Sequence, residues 1–189
     1  MTIKFEISLA GDRSFFLIGA LLPQLNHMAQ EIERKFLVIG DRWRQLATGT
    51  EYRQGYLQRK NERTVRIRVA GDRGFLTIKG ATEGVTRLEY EYPIPKTDAL
   101  EMLSKLCDHP LIEKNRYRIT HEGFTWEVDE FLGENQGLVI AEIELRSPTE
   151  TFPKPDWIGA EVSGLPRYYN ASLVGYPYSQ WTPAERQSV

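Results

Sequence analysis

Glu31-Ile32-Glu33-Arg34-Lys35 carries charge on every second residue, and the same alternation returns along the chain. It reappears in Arg66-Ile67-Arg68, Glu89-Tyr90-Glu91, Lys114-Asn115-Arg116-Tyr117-Arg118, Glu127-Val128-Asp129 and Glu142-Ile143-Glu144. Side chains of a β-strand alternate between its two faces, so each run projects its charges, mostly of one sign, onto a single face. Like charges two residues apart on a strand lie about 7 Å from each other, a repulsion of about 2 kcal/mol per pair at an effective dielectric near 20. Repeating that cost implies a use for it. If the faces converge, the carboxylates suit divalent cations and the basic groups suit a polyanion.

Working outward, the chain from residue 31 reads as period-two strands separated by turn signals, near 31–38, 51–58, 64–70, 74–80, 86–94, 111–119, 124–132 and 138–146. Gly71-Asp72-Arg73-Gly74, Thr120-His121-Glu122-Gly123 and Gly133-Glu134-Asn135-Gln136-Gly137 join neighbours by short links, which makes the neighbours antiparallel. Residues 41–46 read as a short helix with Asp41 as its cap. A better helix spans 98–107, with Asp98 and Glu101 as a capping box and Leu100, Leu103, Leu106 and Cys107 as its apolar stripe. Pro148, Pro153 and Pro155 make the following stretch irregular, and a helical turn near Pro166–Leu173 precedes a loose tail. The expected fold class is mainly β (α+β), a closed eight-stranded antiparallel barrel with a few covering helices. A barrel of that size encloses room for side chains or one small ligand.

Parity divides the faces. Glu31, Glu33 and Lys35 oppose Ile32, Arg34 and Phe36; Arg66 and Arg68 oppose Val65, Ile67 and Val69; Glu142 and Glu144 oppose Ala141, Ile143 and Leu145. An ordinary half-solvated sheet would turn the charged faces to water. Against that, surfaces normally intersperse signs, whereas these strands segregate them, and the apolar faces suit burial under the helices or a partner subunit. Charges inside are therefore favoured. Such an interior is electrically tolerable when Mg²⁺ or Mn²⁺ and a polyphosphate complete it.

With 189 residues, 41% hydrophobic and 26% charged, the chain has the composition of a soluble globular protein. Its 24 basic and 26 acidic residues nearly cancel, and a pI near 6.0 argues against generic nucleic-acid binding. Cys107 is the only cysteine, so an internal disulfide is excluded and a cytoplasmic location is the default. His27, His109 and His121 lack metal-pair spacing, and neither a Gly-x-Ser-x-Gly elbow nor a Walker loop occurs. Residues 1–27 stand apart as an N-terminal extension: Phe15–Leu22 is apolar but too short for a membrane span, and Met28 is a competing start. The domain reading is thus 1–27 extension, 28–175 tunnel domain and 176–189 C-terminal tail. Apolar outer strand faces make a homodimer reasonable.

These motifs, in this order and joined by Lys79, resemble the CYTH superfamily of triphosphate tunnel metalloenzymes, whose N-terminal signature is Glu-x-Glu-x-Lys. Tyr52-Arg53-Gln54-Gly55-Tyr56-Leu57 is similar to the small bacterial members, and Arg167–Leu173 to the family's closing segment. The resemblance implies an eight-stranded tunnel that binds a triphosphate-containing small molecule with divalent metal. Small size favours hydrolysis of inorganic tripolyphosphate to pyrophosphate and phosphate; a class IV adenylate cyclase, a thiamine triphosphatase and a noncatalytic polyphosphate-binding module are the alternatives.

Roles follow from the resemblance. Lys35, Arg66, Arg68, Lys79, Arg116 and Arg118 would grip phosphate oxygens, with Lys114 joining them or assisting leaving-group protonation. Glu31, Glu33, Glu142 and Glu144 would hold metal, and Glu31 and Glu33 would position the attacking water. Glu89, Glu91, Glu127 and Asp129 would support either the metals or the basic groups. Arg87 shares the inward parity but stands at a strand end and receives no role.

Overall fold

The computed structural model describes residues 31–59 and 63–187, so the readings of residues 1–27 lie outside the described residues. The elements in order are β1 (Glu31–Val38), β2 (Thr50–Gln58), β3 (Thr64–Ala70), β4 (Arg73–Glu83), β5 (Thr86–Ile94), α1 (Lys96–Lys105), β6 (Ile112–His121), β7 (Phe124–Phe131), β8 (Val139–Glu144), β9 (Ile158–Glu161), α2 (Asn170–Gly175) and α3 (Pro183–Gln187). Two antiparallel meanders, β2 to β5 and β6 to β8, meet at the β2–β6 pairing. The first strand closes the ring. It pairs with β8 from Glu33↔Glu144 to Leu37↔Ile140, and with β5 through Glu31↔Arg87 and Ile32↔Thr86. The result is the expected closed eight-stranded antiparallel barrel.

A ninth strand corrects the reading of the proline-rich stretch as wholly irregular. Where β5 leaves the edge of β1, β9 takes its place through Phe36↔Glu161 and Val38↔Ile158. Exposed backbone groups on an open edge need partners, and β9 supplies them. The outward-facing Arg34 secures the join, with its Nε donating to Glu161 Oε1 at 2.7 Å.

Inside the barrel the side chains change character part-way along each strand. On β1 the inward series Glu31, Glu33, Lys35 ends at Leu37; on β6 Arg118, Arg116, Lys114 ends at Ile112; on β8 Glu144, Glu142 ends at Ile140. The apolar ends pack with Tyr56, Phe131, Tyr168, Leu173, Val174 and Trp181 as one core. Thus α2 and the chain beyond it plug the barrel at that level. The tail is not loose: Trp181, 3% exposed, stands edge-on to both Tyr168 and Tyr178 at 5.2 and 5.1 Å.

Two further cores cover the outside. Ile32, Phe36, Ile119, Trp126, Ala141 and Ile143 pack beneath Trp43 and Trp157. Ile67 and Val69 of β3 pack beneath Ala99, Leu103 and Cys107. Asp41 precedes a 3₁₀ turn over Arg42–Gln45 without a side-chain cap, so the short helix of the sequence reading is a tighter turn. The longer helix also starts earlier than its sequence suggests. Pro95 occupies the cap position and its carbonyl accepts from Ala99 N–H at 3.0 Å, so Asp98 lies in the first turn instead of capping. The buried face is made by Ala99, Leu103 and Cys107, while Leu100 and Leu106 are exposed. Gly55 allows the close approach, since a Cβ there would lie 2.7 Å from Cys107 Cβ. Burial raises the Cys107 thiol to about 11, in keeping with a packed thiol. The β6–β7 hairpin turns on Glu122 and Gly123, both at positive φ, as a two-residue hairpin demands. Among the described residues no helix is long and apolar enough to cross a membrane.

Candidate active site

Closure of the barrel brings the alternating charges onto a single cavity of about 1830 Å³. Glu31, Glu33, Lys35, Glu142 and Glu144 line it from β1 and β8. Arg66, Arg68, Lys79, Glu89 and Glu91 line it from β3, β4 and β5, and Arg116, Arg118 and Glu127 from β6 and β7. Lys114 and Asp129 do not line it. They sit 1% and 0% exposed behind the wall, where the ammonium of Lys114 pairs with Asp129 and lies over the Phe131 ring. A direct contact of Lys114 with a leaving group is not what this placement offers.

Cross-strand register explains most of the pairing. Lys35 stands opposite Glu142, Lys79 opposite Glu89, Arg116 opposite Asp129, and Glu31 opposite Arg87. Each is an ion pair: Lys79 Nζ lies 2.6 Å from Glu89 Oε2, Arg116 Nε 2.6 Å from Asp129 Oδ1, and Arg87 Nε 2.5 Å from Glu31 Oε2. Lys35 Nζ pairs with Glu142 and lies 2.7 Å from Glu33 Oε1, and Glu142 Oε2 also accepts from Arg116 Nη2 at 2.6 Å. Arg68 Nη2 donates to Glu91 Oε2 at 2.6 Å, and Thr77 Oγ1 donates to the same oxygen at 2.9 Å. Arg118 is the outlier. Its side chain is 67% exposed and its Nε lies 3.5 Å from Glu127 Oε1, which places it at the mouth.

Two cross-strand pairs break the rule, and in one of them, Glu127 opposite Glu142, Arg116 bridges the two carboxylates. In the other, Glu33 stands directly opposite Glu144, and Glu144 has no ion pair among the described residues. Burial, followed by the charges of Glu31, Glu127, Glu89 and Glu33, pushes the Glu144 carboxyl above its ordinary range. Glu33 moves up as well, through burial and then the charge of Glu142. For Glu142 burial opposes ionisation, but Lys35, Arg116 and Lys114 outweigh it and hold the carboxyl well below the ordinary range. Lys35 rises, its two carboxylate partners overcoming burial. Lys114 falls to about 8, through burial and the neighbouring Arg116 charge. Like charges directly opposite on a sheet destabilise it unless a cation lies between them.

The donor set is therefore suited to a hard divalent cation. Glu31, Glu33, Glu142 and Glu144 line the same cavity from two paired strands, and Glu144 has no ion pair among the described residues to compete with a cation. As the side chains stand, no three acidic, histidine or cysteine groups among the described residues meet at one point, because Glu31, Glu33 and Glu142 lean toward basic neighbours. The basic bank has unused donors too. Arg66 Nε and Arg68 Nε are buried without hydrogen-bond partners among the described residues, a costly condition that an anion's oxygens relieve.

Sequence reasoning passed over Arg87, which pairs with both Glu31 and Glu33 inside the tunnel. Its inward parity was the available signal; the β1–β5 closure that turns a strand end into part of the wall was not visible. Tyr52, Tyr56 and Arg59 also line the cavity, and Arg59 Nη1 donates to the Ala171 carbonyl of α2 at 3.2 Å. The first two carry no charge, so the alternation of charges did not mark them.

The CYTH domain model matches residues 29–169. The inorganic triphosphatase of Acetivibrio thermocellus is 57% identical over 154 residues, spanning 82% of this chain and 99% of that protein. Two solved structures of the protein NE1496, one described as an inorganic triphosphatase and one as a hypothetical protein, are each 34% identical. They superpose with TM-scores of 0.55 and 0.54, covering 78% and 76% of this chain and 96% and 97% of those chains.

Proposed function

The chain belongs to the CYTH domain family, and from that premise we propose that it hydrolyses inorganic tripolyphosphate to pyrophosphate and phosphate with the help of a divalent cation. The observation that carries the reading is the like-charged Glu33–Glu144 pair beside a bank of arginines and lysines in one closed tunnel. A polyphosphate needs the basic bank, and the carboxylates need a cation; one metal–triphosphate complex answers both.

In this reading Lys35, Arg66, Arg68, Lys79, Arg87 and Arg116 bind the phosphate oxygens, and Arg118 meets the chain at the mouth. Their fixed charges oppose the negative charge that builds on the departing pyrophosphate as the P–O–P bridge opens. Glu31, Glu33, Glu142 and Glu144 would hold Mg²⁺ or Mn²⁺, which when bound neutralises phosphate charge and acidifies water. Glu89 and Glu91 aim Lys79, Arg66 and Arg68 through ion pairs, Arg66 Nη2 lying 3.6 Å from Glu89 Oε1 and 3.4 Å from Glu91 Oε2, and Glu127 and Asp129 do the same for Arg116. Lys114 acts through Asp129, as a support for Arg116.

Binding energy alone does not explain the acidic wall, because carboxylates repel an unaccompanied polyphosphate. Hydrolysis is tested by offering tripolyphosphate, thiamine triphosphate, ATP and pyrophosphate with Mg²⁺ or Mn²⁺ and identifying the products. The expected result is equal release of phosphate and pyrophosphate from tripolyphosphate, lost on chelation. Cyclic AMP formed from ATP, or tight binding without turnover, would refute the proposal.

A further inference from the structure

Arginine forks and aromatic rings alternate along one wall of the tunnel. The guanidinium of Arg73 lies 5.1 Å from the centre of the Phe75 ring, and that of Arg68 lies 5.3 Å from the same ring on its way to Tyr52. Tyr52 then stands between two arginines, 5.5 Å from Arg68 and 5.3 Å from Arg116. All five side chains line the cavity.

Register puts the rings there. Phe75 stands directly opposite Arg68 across the β3–β4 pairing. Tyr52 pairs with Ala70 of β3 on one side and with Lys114 of β6 on the other. Arg68 is two residues from Ala70, and Arg116 is two from Lys114, so both are diagonal neighbours of Tyr52 on the inner face. Diagonal neighbours on a sheet are within reach of aromatic and long side chains.

The two arginines are held by different means. Arg116 is gripped by carboxylates, with Asp129 taking its Nε and Nη2 at 2.6 Å each and Glu142 and Glu127 taking further donors. Among the described residues Arg68 has one carboxylate partner, Glu91, and its Nε has none. A single contact at one Nη leaves the plane of a guanidinium free to turn. The rings of Tyr52 and Phe75 supply the missing constraint, because a flat cation over an aromatic face is attracted to that face and keeps to it. Tyr52 does this for two like charges at once, where an aliphatic side chain would attract neither.

We propose that Tyr52 is a positioning residue: with Phe75 it fixes the plane of Arg68 and its spacing from Arg116, so that both forks meet oxygens of one polyphosphate chain. The inference deepens the phosphate-tunnel reading and rests on it. The ring carries the effect, and the hydroxyl does not.

The test compares wild type, Tyr52→Phe, Tyr52→Leu, Arg68→Ala and the Tyr52→Leu/Arg68→Ala double variant. Affinity for tripolyphosphate is measured by calorimetry, and KM and kcat are measured with Mg²⁺. Tyr52→Leu is expected to weaken binding and raise KM by about 5- to 30-fold, the range of a desolvated cation–aromatic contact, with kcat within about 2-fold. Tyr52→Phe stays within about 2-fold of wild type, and the Tyr52→Leu effect vanishes once Arg68 is absent. Phe75→Leu, tested alone and with Arg68→Ala, gives the same pattern and serves if Tyr52→Leu does not fold. A loss of equal size with and without Arg68, equal losses for Phe and Leu at position 52, or no loss at all would each overturn the proposal. Wild type that binds tripolyphosphate without hydrolysing it refutes the catalytic reading alone, and the affinities still decide the role of Tyr52. Wild type that does not bind tripolyphosphate overturns both.

Discussion

Glu144→Gln should make the protein more stable and less active at once. Glu144 faces Glu33 across the β1–β8 ladder with no ion pair among the described residues, so the substitution removes a repulsion and breaks no bridge there. At about 6 Å and an effective dielectric near 20, two like charges repel by roughly 3 kcal/mol. Glu144 is exposed to the tunnel, and solvent screening reduces the gain to about 1 kcal/mol. For a chain of this size that corresponds to a rise of about 2 to 4 °C in Tm. The sign of the pH dependence follows from the raised carboxyl. Its folded form binds a proton more tightly than its unfolded form, so wild type loses stability as pH climbs from the ordinary carboxylate range through the raised value. The variant lacks that loss, and its advantage should be present at neutral pH and absent in acid. Thermal unfolding in chelator at several pH values measures the gain, and metal-dependent phosphate release measures the loss, which should be at least about 100-fold if a metal oxygen has been removed. Added Mg²⁺ should raise the Tm of wild type more than that of the variant. A variant destabilised in chelator, or one with undiminished metal-dependent turnover, would refute the reasoning.

Glu142→Gln should behave in the opposite way, because it strips a shared partner from buried Lys35 and Arg116; a loss of about 3 to 5 kcal/mol by urea unfolding is expected, and an unchanged midpoint would contradict the shared-partner geometry. Lys114, with a folded value of about 8 against about 10.4 unfolded, gives up its proton earlier in the folded state, so its burial as a cation costs stability below pH 8 and that cost fades as pH rises from 8 to 10.4. The stability of wild type relative to Lys114→Met should therefore climb by up to about 3 kcal/mol across that window, and a pH-independent difference would count against it. Trp181→Ala should cost about 3 to 5 kcal/mol by denaturant unfolding, since the ring is buried in the plug; a loss below about 0.5 kcal/mol would show the tail to be dispensable.

Most of the tunnel wall was legible from parity. A period of two assigns every residue of a strand to one of two faces, and the run of segregated signs made the charged face the interior one. Glu31, Glu33, Lys35, Arg66, Arg68, Glu142 and Glu144 could be grouped on that basis before any pairing was known, and Lys79 joined them through the family resemblance. Lys114 shows where parity stops. Its direction was right but its depth was not, because the interior turns apolar just beyond it and Asp129 draws it behind the surface. Arg87 shows the same limit from the other side: a strand end in sequence becomes mid-wall once β1 closes on β5. Part of the buried face of α1 escaped for a local reason: Pro95 starts the helix ahead of Asp98, which brings Ala99 into the helix one turn before Leu103 on the same face.

Local sequence thus determined which side chains point together, because alternation is a property of one extended strand and needs no partner. Which charge stands opposite which was decided only by the folded barrel. Register couples residues more than a hundred positions apart, as with Glu33 and Glu144, and it left that pair with a repulsion that its neighbours, Lys35–Glu142 and Glu31–Arg87, do not have.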